Sequence, residues 1–200
     1  SGADRVLSMD LHAGQIQGFF DIPFDHLFAM PVMLEYISKH FPKGEDLVIV
    51  SPDAGGVERA RAYAKRLKSG VAFIDKRRPK PNMAEVANLV GELKDRHVLI
   101  IDDMIDTAGT ICNAAETAMD ESARSVTAIA THPVLSGESI ELLQNSPISK
   151  VIVCDTISLN EKQQFDKLEI ISVADVFGES IKRIVDGDSL SSMFKIIRKD

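Results

Sequence analysis

The stretch Leu99-Ile100-Ile101-Asp102-Asp103-Met104-Ile105-Asp106-Thr107-Ala108-Gly109-Thr110 decides how the rest of the chain is read. Four apolar residues beginning at Val98 make a buried strand, with Asp102 and Asp103 at its C-terminal end. Neighbouring strand residues point to opposite faces, so the two acids should play different roles. The chain then turns and starts a helix near Thr107, with Asp106 or Thr107 supplying the N-cap oxygen. The small residues Ala108 and Gly109 let an anion approach the free backbone N–H groups, helped by the helix dipole. The hydroxyls of Thr107 and Thr110 add donors. Read in order, the segment offers donors to a phosphate and, just upstream, two anionic acceptors suited to sugar hydroxyls. The plainer reading is an acidic strand end followed by an ordinary capped helix.

Outward from this stretch, β-branched apolar runs alternate with helical patterns. Strands are predicted at 5–11, 47–51, 71–75, 98–102, 125–131 and 150–154, and helices at 31–40, 53–68, 107–122, 136–144 and 174–185. In the helix over 53–68, Ala60, Ala64 and Leu67 form a buried face, with Arg59, Arg61, Lys65, Arg66 and Lys68 elsewhere around it. This alternation implies an α/β fold, a parallel sheet with helices on both faces. In such sheets ligands sit beyond the carboxyl ends of the strands. No internal repeat or low-complexity tract interrupts the pattern.

Composition removes several function classes. The 200 residues carry 23 basic and 30 acidic side chains, a net charge of −7, which speaks against general nucleic-acid binding. The chain is 44% hydrophobic and 26% charged, ordinary for a globular protein large enough to bury its own core. No apolar run approaches the roughly 20 residues of a membrane span, so no membrane role is expected. Cys112 and Cys154 are far apart and have no metal-ligand spacing, which suits a reducing, cytoplasmic setting.

Two further segments carry chemistry of their own. Asp75-Lys76-Arg77-Arg78-Pro79-Lys80-Pro81-Asn82 puts four cations into five residues straight after a strand, with two prolines that block helix and pairing. Arg offers a planar fork to phosphate oxygens and Lys a point charge, so this loop suits a polyphosphate. A solvated basic loop or a nucleic-acid patch is the other reading. Ser51-Pro52-Asp53-Ala54-Gly55-Gly56 joins a strand to a helix through paired glycines. Backbone N–H groups at Gly55 and Gly56 suit a diphosphate, and Asp53 suits a magnesium ion or its water. A tight turn with an N-capping Asp is the alternative.

The Leu99–Thr110 stretch resembles the phosphoribosyl-pyrophosphate motif shared by phosphoribosyltransferases and ribose-phosphate pyrophosphokinases. The Asp75–Asn82 run resembles the catalytic loop of the pyrophosphokinases, which the transferases lack. Asp10-Leu11-His12-Ala13-Gly14-Gln15-Ile16-Gln17-Gly18-Phe19-Phe20-Asp21-Ile22-Pro23 and Thr131-His132-Pro133-Val134-Leu135-Ser136-Gly137 also match the pyrophosphokinases. The resemblance implies a phosphoribosyltransferase-like (type I) fold and magnesium-dependent transfer of diphosphate from ATP to ribose 5-phosphate. It implies that Asp102, Asp103, Asp106, Thr107, Ala108, Gly109 and Thr110 hold the ribose and its phosphate, and that Lys76 and Arg78 serve the transferring group. By the same resemblance His12 lies near magnesium and ATP, acting through water or touching a phosphate, with a buried structural role as its alternative. Asp10, Asp21 and Asp25 match carboxylates sometimes assigned to metal. His132 receives no chemistry.

The same resemblance predicts an organisation. Residues 1–28 would be the remnant of a first domain, 29–188 the ribose 5-phosphate domain, and 189–200 a tail that packs on the absent part. Homo-oligomers, commonly hexamers built from dimers, are expected. The competing readings are a phosphoribosyltransferase that uses phosphoribosyl pyrophosphate and a non-catalytic associated regulatory subunit.

Overall fold

The computed structural model describes residues 2–77 and 86–194, with side chains over 2–74 and 89–194. Nine strands lie in chain order at Val6–Met9 (β1), Phe24–Leu27 (β2), Leu47–Ser51 (β3), Gly70–Arg77 (β4), Val86–Val90 (β5), His97–Ile105 (β6), Ser125–Pro133 (β7), Ile148–Cys154 (β8) and Leu168–Ile171 (β9). The helices are Met30–His40 (α1), Val57–Leu67 (α2), Gly109–Asp120 (α3), Ser139–Asn145 (α4) and Ala174–Asp186 (α5). Seven strands form one sheet in the order β5-β4-β3-β6-β7-β8-β9, and β1 pairs with β2 in a separate parallel ribbon. Every pairing in the large sheet is parallel except β4–β5, which is antiparallel. This is the α/β arrangement expected from the alternating pattern, extended at both edges by short strands that the pattern did not announce.

The central strands are buried on both sides because their two sets of side chains feed two cores. Val48, Val50, Val98 and Ile100 point into a core shared with Ile111, Ala114, Ala115 and Ala118 of α3 and Leu143 of α4. Ile49, Leu99 and Ile101 point into the opposite core, with Met33 and Ile37 of α1 and Ala60, Tyr63 and Ala64 of α2. Continuous Val, Leu and Ile runs are what a doubly covered parallel sheet requires.

Both ends of the chain contribute to that second core. Met9 of β1 and Leu27 of β2 are buried in it, and Phe194 sits there edge-on to Phe28. Met193 and Phe194 of the 189–200 tail touch the second core; residues 195–200 lie outside the described residues.

The strand order turns round at β3. From β3 the chain adds β4 on one side, and β6 then returns to the other side. A crevice opens beyond the carboxyl ends of the strands at such a reversal. Here β3 stops accompanying β6 at the pair Val50–Ile100, whereas β7 continues beside β6 as far as Ile105. Asp102 and Asp103 thus lie inside a strand longer than the sequence predicts, on the stretch that projects past β3.

Candidate functional site

At the mouth of this crevice, a pocket of about 130 Å³ is lined by Asp53 from the turn after β3, by Asp102 and Met104–Ala108, and by Thr110 and Ile111 of α3. Asp106, Thr107 and Thr110 are exposed and reachable. The N-cap of α3 is Ala108, held at φ 65°, and no side chain caps the helix. This corrects the expectation that Asp106 or Thr107 supplies the cap. Asp106 is instead occupied by the Ser136 hydroxyl, and its carbonyl accepts Ser136 N–H at 3.1 Å. The consequence favours anion binding, because the first N–H groups of α3 are left without an oxygen from the chain's own caps. An added Cβ at Gly109 would meet no atom within 4 Å, so the space beside the first residue of α3 is open.

The diphosphate candidate is built at the other wall. Ser51 Oγ donates to Asp53 O at 2.6 Å, and Asp53 Oδ1 accepts Gly56 N–H at 3.0 Å. Asp53 thus closes the turn before α2 while lining the pocket. Gly56 is required by close approach, since a Cβ there would stand 2.6 Å from Ser51 Oγ. Helix α2 begins only at Val57, later than predicted, because this turn occupies 53–56.

The acid pair is asymmetric. Asp102 lines the pocket, whereas Asp103 is buried and is not part of its lining. Arg59 of α2 donates through Nη1 to Asp102 Oδ1 and to Asp103 Oδ1, both at 3.0 Å. Asp103 N–H donates to Asp102 Oδ1 at 2.8 Å, and His12 Nδ1 lies 2.8 Å from Asp103 Oδ2. Burial, with the hydrogen bond to Asp103, pushes the Asp102 carboxyl up to about 7. For Asp103, burial alone would act upward. The hydrogen bond from Asp102, the Arg59 charge and the contact with His12 outweigh it and hold Asp103 below the usual carboxylate range.

From sequence alone Arg59 is one of five cations placed away from the buried face of α2, and no site role is read for it. A cue was present: Arg59 lies in the first helical turn, where the dipole disfavours a cation that has no anionic partner. His12 is largely exposed, not buried, and reaches the pair from the bend after β1. Asp10 is committed to structure, accepting Thr131 Oγ1 at 2.7 Å and Ala29 N–H at 3.1 Å through Oδ2. Asp25 pairs with Arg5, and Asp21 is exposed; neither lines the pocket of Asp102. Arg78 and the side chain of Lys76 lie outside the described residues, though the Lys76 backbone pairs with Ala87 across β4–β5.

Magnesium can be tested against this donor set. Among the described residues no group of three or more His, Cys, Asp or Glu is gathered to cage a metal. Magnesium keeps much of its water and commonly takes one or two carboxylates plus substrate phosphates. Asp53 and Asp102 on one pocket, with His12 nearby through Asp103, fit that mode of holding and not a closed cage.

Comparison with known proteins gives the family. Residues 75–195 match the family model of the phosphoribosyl synthetase-associated domain. The chain belongs to the ribose-phosphate pyrophosphokinase family. It is 49% identical over 195 residues to the ribose-phosphate pyrophosphokinase of Clostridium acetobutylicum, covering 98% of this chain and 61% of that one. Against the same enzyme of Halalkalibacterium halodurans it is 52% identical over 195 residues, covering 97% and 61%. The phosphoribosylpyrophosphate synthetase of Mycobacterium smegmatis superposes with a TM-score of 0.86 at 38% identity, over 93% of this chain and 60% of that one. The chain thus spans about 61% of the length of those curated pyrophosphokinases. Among the described residues no helix is long and apolar enough to cross a membrane.

Proposed function

We propose that this chain holds ribose 5-phosphate for magnesium-dependent diphosphoryl transfer from ATP, giving 5-phosphoribosyl 1-pyrophosphate and AMP. The observation that carries the reading is the uncapped start of α3 opening into the same pocket as Asp102. The amides of Gly109 and Thr110 and the hydroxyls of Thr107 and Thr110 take the 5-phosphate. Asp102 takes a ribose hydroxyl, and Asp103, tied to Arg59 and His12, orients it. The backbone N–H of Gly55 takes the diphosphate, that of Gly56 being already held by Asp53 Oδ1, and Lys76 and Arg78 neutralise the transferring group.

In the step itself the C1 hydroxyl oxygen bonds to the β-phosphorus of ATP. The bond from that phosphorus to the oxygen bridging the α-phosphorus breaks, AMP departs, and the hydroxyl proton passes to solvent. Asp53, and His12 through a water, would hold magnesium beside the phosphates, where it would supply charge neutralisation. The protein's own contribution is alignment and fixed positive charge, which is most of what phosphoryl transfer asks for. Two unpaired buried cysteines support a cytoplasmic setting. The exposed apolar side chains Ile16, Phe19 and Phe20 support burial of that turn in a homo-oligomer.

Titration of the intact chain with ribose 5-phosphate, ribose and inorganic phosphate tests the reading. Ribose 5-phosphate should bind more tightly than either part and perturb the amide resonances of 106–110. Binding that leaves those resonances unmoved would sink it. AMP release on adding ATP, ribose 5-phosphate and magnesium tests the reaction, and turnover of a nucleobase with phosphoribosyl pyrophosphate in the absence of ATP would point to a transferase instead.

A further inference from the structure

The end of β7 and the residues after it, Thr131–Ser136, supply no group to the reading above, yet they touch both halves of the site. On one side Leu135 N–H donates to Ile105 O at 2.9 Å, and Ser136 holds the backbone and carboxylate of Asp106. On the other side Thr131 anchors the Asp10 carboxylate. Between them the His132 imidazole places Nε2 at 3.0 Å from Met9 O and 3.2 Å from Asp10 O. Carbonyl oxygens only accept, so Nε2 carries the proton and donates to both. The opposite ring nitrogen, Nδ1, is 2.9 Å from Thr156 Oγ1, and that hydroxyl lies 3.0 Å from Thr131 O.

What this ring grips is a bend that would not hold itself. Asp10 has φ 41°, a left-handed conformation disfavoured for a residue with a Cβ. Its N–H is used by Leu27 O at 3.0 Å, and Leu11 N–H donates to His26 Nε2 at 2.9 Å. Burial lowers the His26 pKa, which keeps that nitrogen free to accept. Two residues after the bend comes His12, whose side chain is 73% exposed and touches Asp103 through Nδ1. An exposed ring with so little packing keeps its position only if its backbone is fixed.

We infer that His132 is a positioning residue: its Nε2–H clamps the Met9 and Asp10 carbonyls into the bend that stands His12 on Asp103. Through Leu135 and Ser136 the same strand end fixes the Asp106 loop, so one segment sets the spacing between the sugar-phosphate half of the site and the His12 half. The clamp is independent of the reaction assigned above, and only its effect on turnover rests on that reading.

Two substitutions separate the ring nitrogens. The amide of His132→Gln reaches the place of Nε2, whereas that of His132→Asn reaches only the place of Nδ1. The readout is the ring resonances of His12 in the intact chain, with Asp103→Asn as the reference for a His12 that has lost its acid. His132→Asn should move the His12 signals toward that reference, and His132→Gln should leave them in place. In turnover, His132→Asn should lower kcat about 10–100-fold while ribose 5-phosphate affinity stays within about threefold. Unchanged His12 signals in a folded His132→Asn, or equal displacement by both variants, overturns the proposal. Should His132→Asn not fold, Thr156→Val carries the test, since loss of the support behind Nδ1 must also shift His12, and no shift overturns it. Failure of the unaltered chain to bind ribose 5-phosphate would instead count against the function, leaving the clamp to be judged on His12 alone.

Discussion

His12 and Asp103 meet at 2.8 Å although 91 positions separate them in the chain. The contact joins the bend after β1 to the middle of β6, and Arg59 reaches the same carboxylate from α2. Three elements therefore converge on one buried acid. The cost of burying Asp103 is offset by two charged or polar partners and by a hydrogen bond within the acid pair. Asp102, sharing Arg59 but facing the pocket, is left as the member that a ligand can reach.

Arg59 should behave as the keystone of that arrangement. Arg59→Ala leaves Asp103 buried beside a second acid, with an expected loss on the order of 2 kcal/mol, less than for a fully buried pair because Arg59 is partly exposed. Adding Asp103→Asn to Arg59→Ala should recover part of that loss. Arg59→Lys should recover less, because a point charge does not bridge two carboxylates as a guanidinium does. Urea titrations of the unaltered chain, Arg59→Ala, Asp103→Asn, the double variant and Arg59→Lys measure the coupling. Additive costs would show that Arg59 and Asp103 do not act together.

The acid pair also fixes a pH dependence. Asp102 titrates near 7 in the folded chain and near 3.8 when exposed, so the folded state holds the extra proton between those values. Its contribution is fully present below 3.8 and is lost as pH rises through about 7. Asp103 is shifted the other way: its contribution exists above its ordinary value and fades only at more acid pH. Between about pH 5 and about pH 8 the urea midpoint should therefore fall, and Asp102→Asn should flatten that fall. An equally steep fall in Asp102→Asn would place the titrating group elsewhere.

Much of this was legible in the sequence, and the misses have physical causes. The β3, β6, β7 and β8 runs are long, β-branched and doubly buried, so pattern alone finds them. Strand β2 is Phe24–Leu27 and β9 is Leu168–Ile171, each four residues, too short to display a period. The cap of α3 was misjudged because Ala108 takes its left-handed turn under tertiary constraint. Leu135 and Ser136 hold Ile105 and Asp106 from thirty residues downstream, and no local propensity records that. Arg59 was missed for a related reason: its partners come from β6, not from its own helix.

Cys154 should be chemically silent in the folded chain. Burial, with the nearby Asp10 and Asp155 charges, pushes its thiol up to about 12, and burial also raises Cys112. At neutral pH the thiolate that reacts is almost absent. Iodoacetamide followed by mass spectrometry should label neither cysteine natively and both in urea. Rapid native labelling of Cys154 would contradict its full burial in the second core.

Lys76→Ala tests the basic run that begins at the end of β4. A cation that meets only the transferring group should cost about 10²–10³ in turnover while ribose 5-phosphate affinity changes little. Rate assays for AMP and calorimetry with ribose 5-phosphate, run on the same preparation, separate the two. Equal losses in both would move Lys76 into ground-state binding of the sugar.

Gly56, just before α2, and Gly109, the first residue of α3, should respond in opposite ways to the same added methyl group. At Gly56 a Cβ collides with Ser51 Oγ at 2.6 Å, in a turn whose hydroxyl is already bonded to Asp53 O. Gly56→Ala should therefore destabilise the fold by about 1–3 kcal/mol through forced displacement of the turn. At Gly109 the same Cβ meets nothing within 4 Å, and the residue begins a helix, where alanine is the better former. Gly109→Ala should leave the melting temperature unchanged or slightly raised. The methyl group would, however, stand over the amides offered to the 5-phosphate. Loss of one charge-assisted bond there is worth about 1.5–3 kcal/mol, so ribose 5-phosphate affinity should drop about 10–100-fold. A chain that folds as well and binds as well with alanine at 109 would mean that the phosphate does not sit on the start of α3.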